Sequence, residues 1–128
     1  MPCVCHNVIV NKPHEVGWNQ RILDAYHRIR SSVVETPVED VPDLVPKHSL
    51  RLLFKMENLQ QTGSFKLRGA TNKILSLTPQ QARNGVIAAS NGNHGLGVAA
   101  AAKHVGIRAM FSDWLATTTF YASCMGMK

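Results

Sequence analysis

Val86-Ile87-Ala88-Ala89-Ser90-Asn91-Gly92-Asn93-His94-Gly95, followed by an alanine-rich run to Val105, is the stretch that decides the fold. An unbroken apolar run at residues 86–89, bounded by turn formers, predicts a short buried strand of a parallel sheet. Beyond the polar turn, Val98, Ala101, Ala102 and Val105 recur at helical spacing, so a helix is expected from about His94. Gly106 is its expected stop, and Ile107 opens another strand. Strand, turn, helix and strand make one crossover unit, which predicts an α/β architecture with a largely parallel, doubly wound sheet carrying helices on its faces.

Working outward, Thr78-Pro79-Gln80-Gln81 carries a cap, a proline at the first helical position and a glutamine three residues after the cap. It predicts a short helix that Asn84-Gly85 ends. Before it, Leu67, Ala70, Ile74 and Leu77 predict a helix started by Thr62-Gly63-Ser64. Leu50, Leu52, Phe54 and Met56 alternate with Arg51, Lys55 and Glu57, which predicts a strand over Leu50–Glu57. Pro37, Pro42 and Pro46 mark a loop-like stretch. Trp18, Ile22, Ala25 and Ile29 predict the apolar face of a helix from Trp18 to about Arg30.

With 45% hydrophobic and 17% charged residues, the 128-residue chain is a single globular domain rather than a disordered segment. Fourteen Lys and Arg against eight Asp and Glu give a net charge of +6, spread along the chain as a solvated surface and not gathered into a nucleic-acid footprint. No apolar run reaches the ~20 residues that cross a bilayer, and the first ten residues hold no Lys or Arg, so the expected compartment is the cytoplasm. Cys3, Cys5 and His6 are poorly spaced for zinc, and with Cys124 the cysteines are read as free thiols, with no metal site.

Two stretches carry chemistry. Ser90 to Gly95 joins a strand to a helix N-terminus, whose unpaired N–H groups and partial positive charge suit a carboxylate or phosphate. Gly92, Gly95 and Gly97 would let the backbone approach a ligand. The glycines fall as G-x-x-G-x-G, so this is not the dinucleotide fingerprint. Lys66, in Gly63-Ser64-Phe65-Lys66-Leu67-Arg68-Gly69-Ala70, lies in the first turn of a helix, where the macrodipole together with burial would favour a neutral amine able to attack a carbonyl.

Together, Lys55 to Ala70, the Thr36-Pro37 pair and the Ser90–Gly95 loop resemble the fold-type II, tryptophan-synthase-β-like, pyridoxal-phosphate enzymes, and within them the threonine/serine dehydratase and serine racemase branch. The resemblance implies that Lys66 holds pyridoxal 5'-phosphate as a Schiff base and acts as the base at the substrate α-carbon. It implies Phe65 against the pyridine ring, Asn93 on the phenolic oxygen, and Ser90, Asn91, Gly92, Asn93 and His94 around the carboxylate of a small hydroxy amino acid. The implied reaction is β-elimination to a 2-oxo acid and ammonia. Asn91 stands where the racemases carry a serine acid/base, and an amide exchanges no proton near neutral pH, so dehydration is expected over racemisation.

The resemblance covers about residues 20–109, within an N-terminal portion read as 1–109, with 110–128 as a divergent tail rich in aromatics and poor in charge. The family's second glycine-rich loop, which binds the cofactor phosphate, has no counterpart here. The chain is therefore expected to be a truncated fragment, inactive alone, with apolar faces prone to homo-oligomer formation. A frame-shifted tail, a non-catalytic subunit-interaction fragment and a carboxylate-binding module without chemistry stay open beside the dehydratase reading. No nucleic-acid or membrane partner is expected.

Overall fold

The computed structural model describes residues 17–42 and 51–112, and residues 119–122 as backbone. Helix α1 runs over Trp18–Ile29, and strands β1 (Val38–Asp40) and β2 (Leu53–Lys55) follow. After a single 3-10 turn at Glu57–Leu59 come α2 (Lys66–Leu75), α3 (Pro79–Asn84), β3 (Val86–Ala89), α4 (Asn93–Val105), β4 (Ala109–Ser112) and β5 (Thr119–Ala122).

The crossover unit is present as expected. β3 pairs in parallel with β4 through α4, in the register Val86↔Ala109 to Ala89↔Ser112. Two further pairings are antiparallel: β4 with β5, and β1 with β2 in a separate small sheet. The proline-bounded stretch expected as loop thus contains β1, and the strand expected over Leu50–Glu57 is confined to Leu53–Lys55. Pro37 suppresses the local strand signal yet costs no ladder bond, because its carbonyl accepts from the Met56 N–H at 3.0 Å. β4 continues past residue 109 to Ser112, and Thr119–Ala122, where the sequence shows no period, pairs with it. Cys3, Cys5, His6, Pro46, Leu50 and Cys124 lie outside the described residues.

The core lies between α2, α4 and the parallel pair. Ala70 and Ile74 of α2 meet Val98, Ala101 and Ala102 of α4 over Ala88 and Ala109. These are mostly small side chains, so the two helices approach closely. Among the described residues Leu67 is the one large side chain that is fully buried. The capping box of α3 forms in both directions: the Gln81 N–H donates to Thr78 Oγ1 at 3.3 Å and the Thr78 N–H to Gln81 Oε1 at 2.9 Å. At Gly85, φ is +78° and an added Cβ would lie 2.7 Å from the Arg108 carbonyl, so only glycine turns α3 into β3 beside the start of β4.

Two expected core faces are corrected. On α1 only Ile29 is buried, while Trp18 is 73% and Ile22 63% exposed, because only the last turn of the helix reaches α2. Val105 is exposed too, since α4 has by then run past the sheet that covers Val98 and Ala102.

Candidate active site

Lys66 is the first residue of α2, as the sequence predicts. No side chain caps the helix at Phe65. The nearest substitute is Ser64, whose Oγ accepts from the Lys66 N–H at 3.4 Å. Lys66 is exposed, and its Nζ sits 5.1 Å from the centre of the Phe65 ring. The hydroxyl of Thr62, in the same turn, is buried with no hydrogen-bond partner among the described residues.

The Ser90 loop forms the N-terminus of α4 at the carboxyl end of β3, where α/β sheets place ligands. Ser90 Oγ accepts from the N–H groups of Gly95 (3.0 Å) and Gly92 (3.3 Å). The serine thus caps the helix from within, and the Gly92 donor is used by the protein. The N–H groups of Asn91, Asn93 and His94 have no acceptor among the described residues. All three residues are exposed, so the anion-binding capacity expected of the loop rests on them.

Gly95 and Gly97 act differently from expectation. Gly92 faces open space, and an added Cβ at Gly95 would crowd the Ser90 carbonyl at 3.0 Å. At Gly97 an added Cβ would lie 3.1–3.2 Å from the carbonyl carbon and oxygen of Lys66 and the nitrogen of Leu67. Its close approach is therefore to the backbone of α2, not to a ligand. That contact brings the lysine turn and the α4 N-terminus to one side of the molecule.

Sequence reasoning missed the frame behind the lysine. Arg68 forks onto Glu57, Nε to Oε2 at 2.8 Å and Nη2 to Oε1 at 2.7 Å. Arg68 Nη2 also donates to the Val34 carbonyl at 3.0 Å, and the Thr36 hydroxyl donates to Glu57 Oε1 at 2.6 Å. Gln60 pairs with the Val34 backbone in both directions, at 2.8 and 2.9 Å, and Lys55 donates to the Thr36 carbonyl. The guanidinium holds the Glu57 carboxyl down to about 2, against a smaller opposing effect of burial, with Thr36 helping. Glu57 raises Arg68 in return. Two opposite charges within one motif, eleven residues apart across a predicted turn, were the available signal.

Comparison with known proteins identifies the family. The pyridoxal-phosphate dependent enzymes match residues 29–112, well over half of the chain. The chain belongs to this family. The biosynthetic L-threonine dehydratase of Bacillus subtilis is 41% identical over 88 residues, which are 69% of this chain and 21% of that protein. The L-threonine ammonia-lyase of Thermotoga maritima is 59% identical over 58 residues, 45% of this chain and 14% of that one. Among solved structures, maize serine racemase superposes with a TM-score of 0.67 at 40% identity, covering 72% of this chain and 29% of its own. A threonine deaminase from T.th. superposes with a TM-score of 0.65 at 40% identity, covering 75% and 33%. This member of the family thus spans a third or less of the length of these relatives, and its fold-type II likeness is partial to the same degree.

Proposed function

We propose that the chain carries the lysine and carboxylate-loop portion of a threonine/serine dehydratase acting on a small hydroxy amino acid. The observation that supports it is the Gly97 contact, which sets the Lys66 turn against the helix whose N-terminus offers free donors. The residues present fit the aldehyde side of pyridoxal 5'-phosphate: an amine open to solvent, an aromatic ring beside it and donors at a helix N-terminus. When bound, that cofactor supplies the electron sink that acidifies the substrate α-carbon.

Lys66 would hold the cofactor through its amine and then take the α-proton at Nζ. Phe65 would lie beside the cofactor ring, and Asn93 would donate to its phenolic oxygen. The N–H groups of Asn91, Asn93 and His94 would bind the substrate carboxylate, with Ser90 and Gly92 holding the turn in shape. Loss of the β-hydroxyl as water, then hydrolysis, gives a 2-oxo acid and ammonium. Asn91 supplies no second acid/base, which favours elimination over racemisation.

The boundary expected at 109 is moved to 112, where the family match ends, and 113–128 is taken to be divergent. The matched span is small, so the chain alone is expected to bind the cofactor without turnover. The cytoplasm is its inferred compartment; no helix among the described residues is long and apolar enough to cross a membrane.

Borohydride reduction of the chain with pyridoxal phosphate, followed by peptide mass mapping against Lys66→Ala, tests this reading. A stoichiometric adduct confined to Lys66 is expected. Adducts scattered over surface lysines, or none, would overturn it.

A further inference from the structure

We propose that Arg68, forked onto Glu57, is a positioning residue that fixes the first turn of α2 and so aims Lys66. The inference rests on the reading of Lys66 as the cofactor lysine and assigns it a support. Residues two apart on a helix point to nearly opposite sides, so Arg68 faces away from the direction Lys66 takes. Between them Leu67 is 2% exposed and anchors the same turn in the core.

The turn is therefore held on two sides. On one, Gly97 brings the α4 backbone against Lys66 and Leu67. On the other, Arg68 fastens to a carboxylate that is itself tied down. Glu57 takes both arms of the fork and the Thr36 hydroxyl, and Thr36 is 2% exposed. Gln60, 4% exposed, binds the Val34 backbone in both directions, and Arg68 binds the same carbonyl. The segments at 34–36 and 57–60 and the start of α2 thus form one frame.

A bidentate fork resists rotation about the helix axis in a way that a single contact does not. This matters where α2 begins, because the helix has no side-chain cap at Phe65 and its first N–H groups have no helical partner. Without the fork, little besides Leu67 and Gly97 would set the angle at which Lys66 leaves the helix.

The test compares Arg68→Met, Arg68→Lys, Glu57→Gln and Thr36→Val with Ile74→Ala, a core substitution two turns away that destabilises the same helix. Two quantities are read on the full chain: the share of the reduced pyridoxal phosphate adduct found at Lys66, and amide hydrogen exchange along α2. Arg68→Met and Glu57→Gln are expected to lower the Lys66 share about tenfold and to speed exchange at Arg68, Gly69 and Ala70 by a similar factor, with Ile74 and Leu75 little changed. Arg68→Lys, which keeps the charge and loses the fork, should recover part of both effects. Thr36→Val, which leaves the fork intact, should show a smaller loss.

If Ile74→Ala lowers the Lys66 share as much as Arg68→Met, the fork is merely structural and the proposal fails. It fails equally if exchange at Arg68–Ala70 does not change. An unmodified chain with no selective adduct at Lys66 overturns the cofactor reading, and the aiming role with it. Unchanged exchange alongside a selective parent adduct overturns the fork alone.

Discussion

Glu57 is a carboxylate that the fold needs ionised, and its pH dependence follows. Its folded pKa, about 2, lies below the ordinary carboxylate value of 4.5. The folded state therefore binds fewer protons than the unfolded state between those values. The stabilisation is fully present above about pH 4.5 and is lost as pH falls towards 2. Thermal unfolding of the chain should show the melting temperature falling across that window, and Glu57→Gln should flatten the fall while lowering the plateau near neutral pH. A parallel fall in both proteins would contradict this role for Glu57. Gly97 allows an equally direct test. Alanine would gain about 1 kcal/mol in helix propensity, but its Cβ would press on three backbone atoms of α2, and backbone cannot swing aside as a side chain can. Gly97→Ala is expected to cost about 1–2 kcal/mol net by denaturant titration and to reduce the Lys66 adduct.

At the scale of elements, α3 stands almost entirely on its start signal, since none of its residues is buried. Thr78→Ala should therefore cost about 1 kcal/mol, read as a lower urea midpoint with an unchanged slope. Leu67→Ala, in the best-packed position of α2, should cost about 2–5 kcal/mol. The contrast explains what the sequence made legible. The capping box, the Gly85 turn, the β3–α4–β4 unit and the placing of Lys66 at a helix start are local patterns whose residues sit within one or two turns of each other. β1 was hidden because three residues between prolines have no period of their own and are recognised only by their partner β2. The Arg68–Glu57 frame was hidden for the same reason: the fork depends on tertiary geometry, and charge spacing alone does not show which residue meets which. Sequence also cannot show which flank of α4 a neighbour occupies, so Gly97 was read as facing a ligand.

At the scale of the whole molecule the balance between core and surface stands out. The buried cluster is built largely from alanines, whereas Trp18, Ile22, Ile87, Phe65 and Leu96 are each more than half exposed. Ile87 lies on β3, which pairs on one side only among the described strands, so apolar surface and unpaired backbone groups coincide there. Sedimentation velocity should show association that rises with protein concentration. Trp18→Glu and Ile87→Lys should each weaken it. A chain that stays monomeric as its concentration rises about a hundredfold above the micromolar range would show that these faces are tolerated in water.

The close approach at Gly97 also bears on inheritance. Every missense change at a glycine codon adds at least a Cβ, and most add charge or bulk. A gene encoding this helix pair therefore has no gradual route away from glycine at 97 while the lysine turn is under selection. Once that selection lapses, the codon is free to drift. Allele surveys within the population would then read position 97 as a clock: glycine fixed where Lys66 still matters, and replaced early where it no longer does.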